Sequence, residues 1–559
     1  MKRNKLFAMV LASMMALSIG FTGCSGSGSK DPASKDMDKD QHITVSVPVA
    51  NVKTLDPSKG TDAYAAYVLQ ESMEALAREE IKDGKDQFVP DGAASWKVSD
   101  DGKVWTINLR ESKWSDGKDV TADQYEYAIK RTLDQKTASQ YAYLLVNAGI
   151  KGAGDYNEGK GSADNVGVKA KDKSTLEITL DQPCAYFEKL LSFKLFIAQR
   201  KDLVEKYGDA YGTKAETLVY NGPFKISTFN NGEKVELVKN DQYWDKASVK
   251  LDKLTILFMS DQNSRMNAFM SGQIDRVTVS TSNWRDKFTE TKKYNVVNTN
   301  FPVTSYMFFN TKNKYFANVK IRKAISLAMD REDFVKVIRQ GIGQPAWGWV
   351  PPSMSIGNNE FRTKVEEPLK NIKDDPKQLL IDGLKEIGED PDPSKVVIHY
   401  LEAGTDELTK EDGDYVMNTL KTKLGITVKV DYMEWAQCND KVNNGEYELS
   451  GMAWGGDYND PMTFLDMWVS GAGIVPNFWE NKEYDALIED AKTTMDQAKR
   501  LEDFKKAEKL LLVDQAVIIP ENYQQFPTFS CKFIKGIQEP LFAPVSVEWK
   551  YAYTSGRTQ

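Results

Sequence analysis

Hydrophobic and polar residues alternate over several short segments of the chain, as they do in β-strands with one buried face. The clearest of these segments are 42–49, 105–109, 176–180 and 254–258, where apolar side chains occupy every second position. A period of two places all the apolar side chains of a segment on one side of a strand. The pattern therefore predicts four strands at these places.

Other segments have apolar residues at helical spacing, and polar residues that can cap a helix precede them. Thr121 comes before a stretch in which apolar residues recur every four positions from Tyr125 to Leu133. A threonine at this position can accept a hydrogen bond from the first free backbone N–H groups of a helix. Asp375 followed by Pro376 is a second such start, because proline is favoured in the first helical turn. A helix is therefore predicted to begin at each of these two positions.

A glycine separates a helix from a strand at one informative place. A helix with Leu420 and Leu424 on its apolar face is expected to end at Gly425, and a strand-like segment, 426–430, follows directly. Glycine is common just past a helix end because it adopts a left-handed backbone without strain. Because helices and strands alternate in this way along the chain, the sequence predicts an α/β fold class.

Length and charge narrow the choice of architecture and partner. A chain of 559 residues is too long for one compact core, so two to four domains are expected. The formal net charge of −8 argues against nucleic acid as a partner, because nucleic-acid binding favours a basic surface.

Histidine and cysteine are too sparse for most metal and nucleophile sites. The two histidines, His42 and His399, lie in or beside strand-like segments and are interpreted as structural. The four cysteines are far apart and show no C-x-x-C spacing, so no disulfide framework is implied. We therefore expect neither a metal nor a cofactor.

The chain begins with a leader that has the features of a secretory signal. Lys2, Arg3 and Lys5 precede an apolar run over 6–21. A single membrane anchor is the alternative, but the run is shorter than the roughly 20 residues that a membrane span needs. The leader is thus predicted to be removed.

The end of the leader resembles a bacterial lipobox, with Phe21 where an aliphatic residue is usual. The resemblance implies a signal peptide over 1–23 and a diacylated Cys24 as the new N-terminus. Residues 24–41 are rich in Ser, Gly and charge, which predicts a flexible tether to a membrane. Ser25, where sorting patterns for retention at the inner of two membranes have Asp, favours a single-membrane bacterium with the protein on the outer face of its cell membrane.

The segment 454–468 combines candidate binding groups. Asp457 follows two glycines and stands among aromatic residues. Glycines permit close approach of a ligand backbone, and a carboxylate in an apolar site favours a cationic partner. One interpretation is therefore a pocket that holds a positively charged group, such as a free α-amine, on Asp457. The alternative is a loop whose aromatic residues belong to the core and whose aspartate caps a turn.

Several motifs, in order along nearly the whole mature chain, together resemble the peptide/nickel family of ABC-transporter solute-binding proteins, in particular its oligopeptide-binding members. They include Trp-Ser-Asp-Gly at 114–117 and Asn-Gly-Pro-Phe at 221–224. The motifs lie at 54–57, 105–110, 114–117, 120–122, 137–141, 221–224, 240–244, 319–324, 329–331 and 454–465.

The resemblance implies a bilobal periplasmic-binding-protein-like fold of the class II type, with an extra domain inserted in the first lobe. Predicted lobe I comprises 42–73, 200–303 and 525–559, the inserted domain 74–199, and predicted lobe II 304–524. It also implies a monomeric receptor, lipid-anchored outside the cell, that binds oligopeptides between the lobes and passes them to an ABC permease.

The resemblance also assigns candidate site residues. Asp457 matches the position that pairs with the α-ammonium of the peptide. The segments that match backbone-pairing stretches, and the matching tyrosine of the site, comprise Ala453, Trp454, Gly455, Thr61, Asp62, Ala63 and Tyr141. Gly451 stands where enteric members have an arginine that meets the carboxyl end of short peptides, which suggests longer or open-ended ligands.

Other functions stay open at this point. The same fold could bind a nickel complex, haem or an oligosaccharide stacked on tryptophans such as Trp347, Trp349, Trp435 and Trp454, or it could serve a peptide pheromone. An enzyme using Asp457 and Asp460 as an acid–base pair is the least favoured interpretation, because nucleophile, zinc and phosphate-loop motifs are missing. The expectation is a binding protein without catalytic activity.

Overall fold

The computed structural model describes residues 37–82, 85–357, 359–542 and 547–557. The predicted signal peptide, Cys24 and most of the predicted tether lie outside these residues. The strands are β1 (His42–Val47), β2 (Ala77–Lys82), β3 (Lys85–Pro90), β4 (Ala93–Val98), β5 (Val104–Leu109), β6 (Val168–Ala170), β7 (Thr175–Thr179), β8 (Phe224–Asn230), β9 (Lys234–Lys239), β10 (Lys253–Phe258), β11 (Arg276–Thr278), β12 (Tyr294–Phe309), β13 (Gln344–Pro345), β14 (Ser355–Ile356), β15 (Asn359–Glu360), β16 (Val397–Ala403), β17 (Thr427–Met433), β18 (Leu449–Gly455), β19 (Ile518–Cys531), β20 (Ile534–Lys535) and β21 (Tyr553–Thr554).

The helices alternate with these strands along most of the chain, as the sequence predicts for an α/β protein. They are α1 (Ala63–Ser72), α2 (Ala122–Leu133), α3 (Ala142–Asn147), α4 (Ala153–Asn157), α5 (Phe187–Leu190), α6 (Lys201–Tyr207), α7 (Gln262–Met270), α8 (Ser282–Thr291), α9 (Val319–Ala328), α10 (Arg331–Val337), α11 (Pro376–Glu386), α12 (Glu407–Leu424), α13 (Trp435–Asn443), α14 (Met462–Leu465), α15 (Lys482–Thr493) and α16 (Gln497–Lys509).

The elements predicted from periodicity are confirmed. Strands β1, β5, β7 and β10 lie at the four alternating segments, and the apolar positions within these strands are buried. Strand β1 ends at Val47, two residues before the predicted end, and Val49 is half-buried. Helices α2 and α11 begin directly after Thr121 and Asp375, and the Asp375 side chain accepts hydrogen bonds from the N–H groups of the first turn. Helix α12 ends at Gly425, whose φ of 84° is the left-handed conformation that glycine tolerates.

One mixed sheet of eleven strands extends through the molecule in the order β17-β16-β18-β12-β19-β11-β1-β10-β9-β8, with β13 beside β19. The central pair, β12 and β19, is antiparallel and changes register. Residues 294–300 pair with 525–531, and pairing then resumes at Thr304 with Tyr523. The segment 301–303 lies at this break, and such an irregularity lets paired strands bend.

Two hydrophobic cores lie on different parts of this sheet. One includes Ile43, Leu254 and Trp549, and the other includes Met307 and Leu420. The second core lies wholly within 304–524, the range of predicted lobe II. The domain boundaries themselves stay a prediction.

Segment 74–199 has a four-stranded sheet of its own, in the order β4-β5-β7-β6, and packs against the 304–524 part of the chain. Across this contact the rings of Tyr186 and Tyr458 stack nearly parallel, with their centroids 4.8 Å apart. Nearby, the Ala185 N–H donates to the Lys492 carbonyl at 2.9 Å. These contacts hold the two segments together beside the cavity described below.

The first described residues are joined to the last ones. The Asp38 N–H donates to the Thr554 carbonyl at 2.9 Å, and the Asp38 carboxylate accepts the Gly556 N–H at 2.9 Å. The Gln41 side chain also donates to the Thr554 carbonyl, at 3.0 Å. This terminal clasp fixes the start of the folded body to strand β21.

Candidate functional site

A cavity of about 440 Å³ lies where the three predicted units meet. Segments 61–64, 192–194, 301–303 and 455–458 form much of its wall. Its size is in the range of pockets that bind small ligands. The register break between β12 and β19 therefore borders the cavity directly.

The end of β18 positions Asp457. Gly455 pairs with Val303 of β12, and the Gly456 N–H donates to the Pro302 carbonyl at 2.8 Å. A Cβ at Gly456 would lie 2.9 Å from a Phe464 ring carbon, so this close approach requires glycine. The Asp457 N–H then donates to the Thr463 hydroxyl at 3.0 Å, which fixes the backbone as the chain leaves the sheet.

The Asp457 carboxylate lines the cavity and is partly buried. Its Oδ2 accepts a hydrogen bond of 2.5 Å from the Tyr143 hydroxyl. Burial raises the pKa of Asp457 to about 6, against the opposing effects of the Tyr143 hydrogen bond and the more distant Lys194 charge. Among the described residues, none forms an ion pair with Asp457, so its charge lacks a direct partner.

Lys194 places a cation in the same cavity. Its Nζ donates to the Gly60 carbonyl at 2.5 Å and lies 4.2 Å from the centroid of the Tyr141 ring. Burial lowers the pKa of Lys194 to about 8, while Asp62 and Asp457 act in the opposite direction. The Gly60 carbonyl and the Tyr141 ring hold the lysine, and neither Asp62 nor Asp457 forms a direct ion pair with it.

The wall formed by 61–63 is the start of helix α1. The Asp62 side chain caps the helix by accepting the Ala65 N–H at 2.6 Å. The Tyr141 hydroxyl donates to the Thr61 carbonyl at 3.3 Å, and the Tyr141 ring packs against Phe193. Helix capping and ring packing thus hold this wall in place.

The structure brings most of the predicted site residues together. The lining includes six of them: Thr61, Asp62, Ala63, Tyr141, Gly455 and Asp457. Ala453 and Trp454 lie outside the lining; Ala453 is exposed, and the Trp454 indole donates to the Thr463 carbonyl at 2.9 Å. Their binding roles stay predictions.

The aromatic residues of segment 454–468 divide between the core and the cavity wall. Phe464, which is part of α14, and Trp468 belong to the core, with 0% and 2% of their surface exposed. Tyr458 lines the cavity. The alternative interpretation, in which the aromatic residues are core, therefore applies to Phe464 and Trp468, and the cation pocket at Asp457 stays a prediction.

The sequence analysis missed several residues that line the cavity or contact its lining. Tyr143, which contacts Asp457, is two positions from the predicted Tyr141, and this repeat of tyrosines was the available signal. Lys194 carries no local signal, because its role arises from packing against Tyr141. Four further charged residues of the lining were also missed: Arg78, Glu79, Asp91 and Glu548.

Gly451 lies in β18 where no side chain fits. A Cβ there would overlap the Tyr400 hydroxyl and lie 3.1 Å from Glu402 Oε2. Burial raises the pKa of Glu402 to about 7. The space beside this position therefore holds a tyrosine and a carboxyl group in place of an arginine.

The structure bears on the alternative sites as well. Asp460 is buried and paired with Arg500 through two hydrogen bonds of 2.9 and 2.8 Å, so its carboxylate is already engaged. Trp349 is fully buried and Trp435 lies on the surface. Within the described ranges, no group of three or more His, Cys, Asp or Glu residues could hold a metal ion.

The two histidines have ordinary structural contacts. His42 Nε2 lies 3.0 Å from the Thr255 hydroxyl, and His399 Nδ1 lies 2.9 Å from an Asp431 carboxylate oxygen. Neither histidine lines the 440 Å³ cavity. In the part of the chain that the structure describes, we find no helix with the length and apolar character of a membrane span.

Comparison with known proteins gives consistent matches. The family model for bacterial extracellular solute-binding proteins, family 5, matches residues 87–475. The oligopeptide-binding protein OppA of Bacillus subtilis is 33% identical over 547 residues, which cover 96% of this chain and 95% of OppA.

Solved structures agree over the same extent. Listeria monocytogenes OppA bound to peptide superposes with a TM-score of 0.75 at 30% identity, covering 93% of this chain and all of that one. The pheromone receptor PrgZ, a structure described with its mode of peptide binding, matches with a TM-score of 0.75 at 27% identity over 92% of this chain and all of that one. The bilobal architecture inferred from sequence is thus shared with these proteins.

Proposed function

The chain belongs to family 5 of the bacterial extracellular solute-binding proteins, and on that premise we propose that it is an oligopeptide receptor that delivers its ligand to an ABC permease. The observation that carries the proposal is the Asp457 carboxylate, which lines the cavity without an ion pair among the described residues. A buried carboxylate without a cation is costly, and a peptide's α-ammonium would supply one.

Backbone recognition would account for a broad range of peptides. Gly455 at the end of β18 and the segment 61–63 line the same cavity as Asp457. N–H and C=O groups of such segments can pair with the main chain that every peptide has, while side chains enter the remaining space. The function is therefore binding and transfer, and Asp457 serves as an anchor with no catalytic step.

The replacement of Asp457 by Ala tests the anchor. Affinity for peptides with a free N-terminus should fall by about 2–5 kcal/mol, because the ammonium loses a partly desolvated partner. N-acetylated versions of the same peptides should lose much less. Isothermal titration of both peptide sets against both proteins measures this, and equal losses for the two sets would remove the amine anchor from the proposal.

Ligand length is expected to be open-ended. Tyr400 and Glu402 fill the space beside Gly451, so this place offers no guanidinium to the carboxyl end of a short peptide. A carboxyl group there would repel a peptide carboxylate whenever it is charged. Native mass spectrometry of ligands that co-purify with residues 30–559 would reveal the length range, and a single sugar or metal complex would contradict the peptide proposal.

A peptide pheromone is the second candidate ligand, favoured by the similarity to the receptor PrgZ. The same cavity would serve import and signalling. A defined peptide that binds far more tightly than random peptides of equal length would favour signalling. Similar affinities for peptides of many different sequences would favour nutrient uptake.

We also infer that the receptor is monomeric and is held by a lipid on Cys24 at the outer face of the cell membrane of a single-membrane bacterium. The support is the lipobox-like sequence at 21–24, with the tether over 24–41 after it. Cys24→Ala should move the protein from the membrane fraction to the medium. Retention of the variant in the membrane fraction would contradict lipid anchoring.

A further inference from the structure

A group of polar and charged side chains forms part of the cavity wall. Arg78, Glu79, Asp91 and Glu548 all line it, together with Gln70. Arg78, Asp91 and Glu548 have 7%, 4% and 1% of their surface exposed, so these charges are held inside the protein. We call these five residues the cavity floor.

The floor's cation is already surrounded by anions. Arg78 donates to Glu548, and its Nη1 lies 3.4 Å from Asp91 Oδ1. Its Nε lies 3.5 Å from Glu80, outside the cavity lining. One guanidinium therefore faces three carboxylates, and the surroundings of Arg78 carry a net negative charge.

Glu79 adds a carboxylate that makes no ion pair among the described residues. Its Oε1 accepts the Asn459 amide N–H at 3.2 Å, across the contact between segment 74–199 and the 304–524 part. Its Oε2 is buried and has no hydrogen-bond partner, and no ion pair to Glu79 occurs among the described residues. Burial raises the pKa of Glu79 to about 7, against the opposing effects of the Lys189 charge and the Asn459 hydrogen bond.

The whole lining has an excess of acid. Five carboxylates line the cavity against two cations, Arg78 and Lys194; the carboxylates are those of Asp62, Glu79, Asp91, Asp457 and Glu548. One peptide ammonium on Asp457 would leave this excess only partly neutralised. A second positive charge would still be favoured inside the cavity.

We propose that the cavity floor, with Glu79 as its free carboxylate, is a subsite for a basic side chain carried by one of the first residues of the bound peptide. The proposal rests on the proposed function, because it places this side chain relative to an ammonium on Asp457. Asn459 contacts Glu79 and is two residues from Asp457, so one short segment of the chain links the surroundings of the two carboxylates. A basic side chain close to the peptide's N-terminus is therefore the group that the proposal places at Glu79.

Matched peptides test the subsite directly. Alanine pentapeptides with a free N-terminus would carry either lysine or norleucine at position 1, 2 or 3. Norleucine keeps the four-carbon side chain of lysine and lacks its charge. By isothermal titration at pH 8, lysine should bind at least about tenfold more tightly than norleucine at one of these positions, as expected for one additional partly desolvated ion pair.

Two variants locate the effect. Glu79→Gln keeps the acceptor for Asn459 and removes the charge, so the lysine-to-norleucine ratio should fall below about threefold. Glu188→Gln removes a carboxylate of the same segment outside the cavity lining, where Glu188 accepts the Trp96 indole N–H at 2.9 Å. This control should retain the full ratio.

Each other outcome overturns a defined part of the proposal. Pentapeptides that bind with no preference for lysine at any position would remove the subsite and leave peptide binding standing, and this result needs only the wild-type protein. A preference that persists in Glu79→Gln would assign the basic side chain to another place. No binding of any pentapeptide, charged or uncharged, would overturn the proposed function and the subsite with it.

Discussion

At the scale of single residues, Lys194 and Asp457 are two opposite charges of the site that make no direct ion pair with each other. Lys194 is held by the Gly60 carbonyl and the Tyr141 ring, and Asp457 by the Tyr143 hydroxyl. Had the two formed a direct ion pair, a ligand ammonium would have had to displace the lysine. The separation therefore leaves the Asp457 carboxylate available to a ligand ammonium. The unpaired carboxylate costs free energy in the empty protein, and binding of the ammonium relieves that cost.

The raised pKa of Asp457 predicts a pH dependence of binding. The value of about 6 lies above the ordinary 3.8, so the anchor is charged above pH 6 and becomes neutral as the pH falls below it. Affinity for an uncharged-side-chain peptide with a free N-terminus should fall by up to about tenfold per pH unit below 6. Lys194, with a pKa of about 8, stays charged throughout this range.

Titration calorimetry between pH 4.5 and 7.5 checks this prediction. The same peptide with an acetylated N-terminus is the control and should show a nearly flat profile. The Asp457→Asn variant should bind the peptide with a free N-terminus weakly at every pH, and its affinity should show no change near pH 6. A step that survives in this variant would assign the titration to another group.

At the scale of elements, the end of strand β18 contributes to the cavity wall, whereas the middle of the strand has no room for a side chain at Gly451. Gly455 and Gly456 bring the chain to the cavity, whereas Gly451 faces Tyr400 and Glu402 of the neighbouring strand β16. The need for glycine therefore differs between these positions of the segment. At 456 and 451 a side chain would collide with packed groups, and at 455 it would meet only ordinary contacts.

Gly451→Ala should reduce the free energy of unfolding by about 1–3 kcal/mol, because its Cβ overlaps the Tyr400 hydroxyl in a packed sheet. Tyr400→Phe in the same chain should restore part of the loss. The matched control is Gly455→Ala, whose Cβ would lie 3.5 Å from the nearest Val303 carbon and should cost little. Urea unfolding of the variants measures the differences, and equal stability of both alanine variants would contradict the packing argument.

The sequence predicted those elements whose signals are local. Alternation over 42–49 and capping at Thr121 depend on neighbouring residues alone, and the structure has β1 and α2 there. The register break at 301–303 could not be predicted, because it depends on which residues of a strand more than 200 positions away pair with β12. Glu79 and Lys194 were missed for the same reason, since distant segments create their surroundings.

At the scale of the whole molecule, segment 74–199 and the 304–524 part of the chain meet beside the cavity. Tyr186 of segment 74–199 stacks on Tyr458, and the Ala185 N–H donates to the Lys492 carbonyl. We expect this contact to stabilise the arrangement of the two parts in which a peptide is held between them. It should therefore affect the binding of all ligands alike.

Tyr186→Leu should weaken binding of free and N-acetylated peptides by the same factor, about 2–10-fold, because the lost ring stacking contributes roughly 0.5–1.5 kcal/mol to closure. Titration of both peptide types measures the factor. Tyr156→Leu, in the same segment and away from the stacked pair, serves as the control and should leave affinity unchanged. A loss confined to free peptides would contradict a role in closure.

The terminal clasp has a mechanical consequence. Asp38, which lies within the predicted tether of 24–41, is hydrogen-bonded to Thr554 and Gly556. For a protein held by the lipid anchor proposed above, a pull from the membrane would enter the folded body beside β21. It would not pass through the paired strands β12 and β19, whose register break borders the cavity. We therefore expect force on the anchor to leave the geometry of the cavity unchanged.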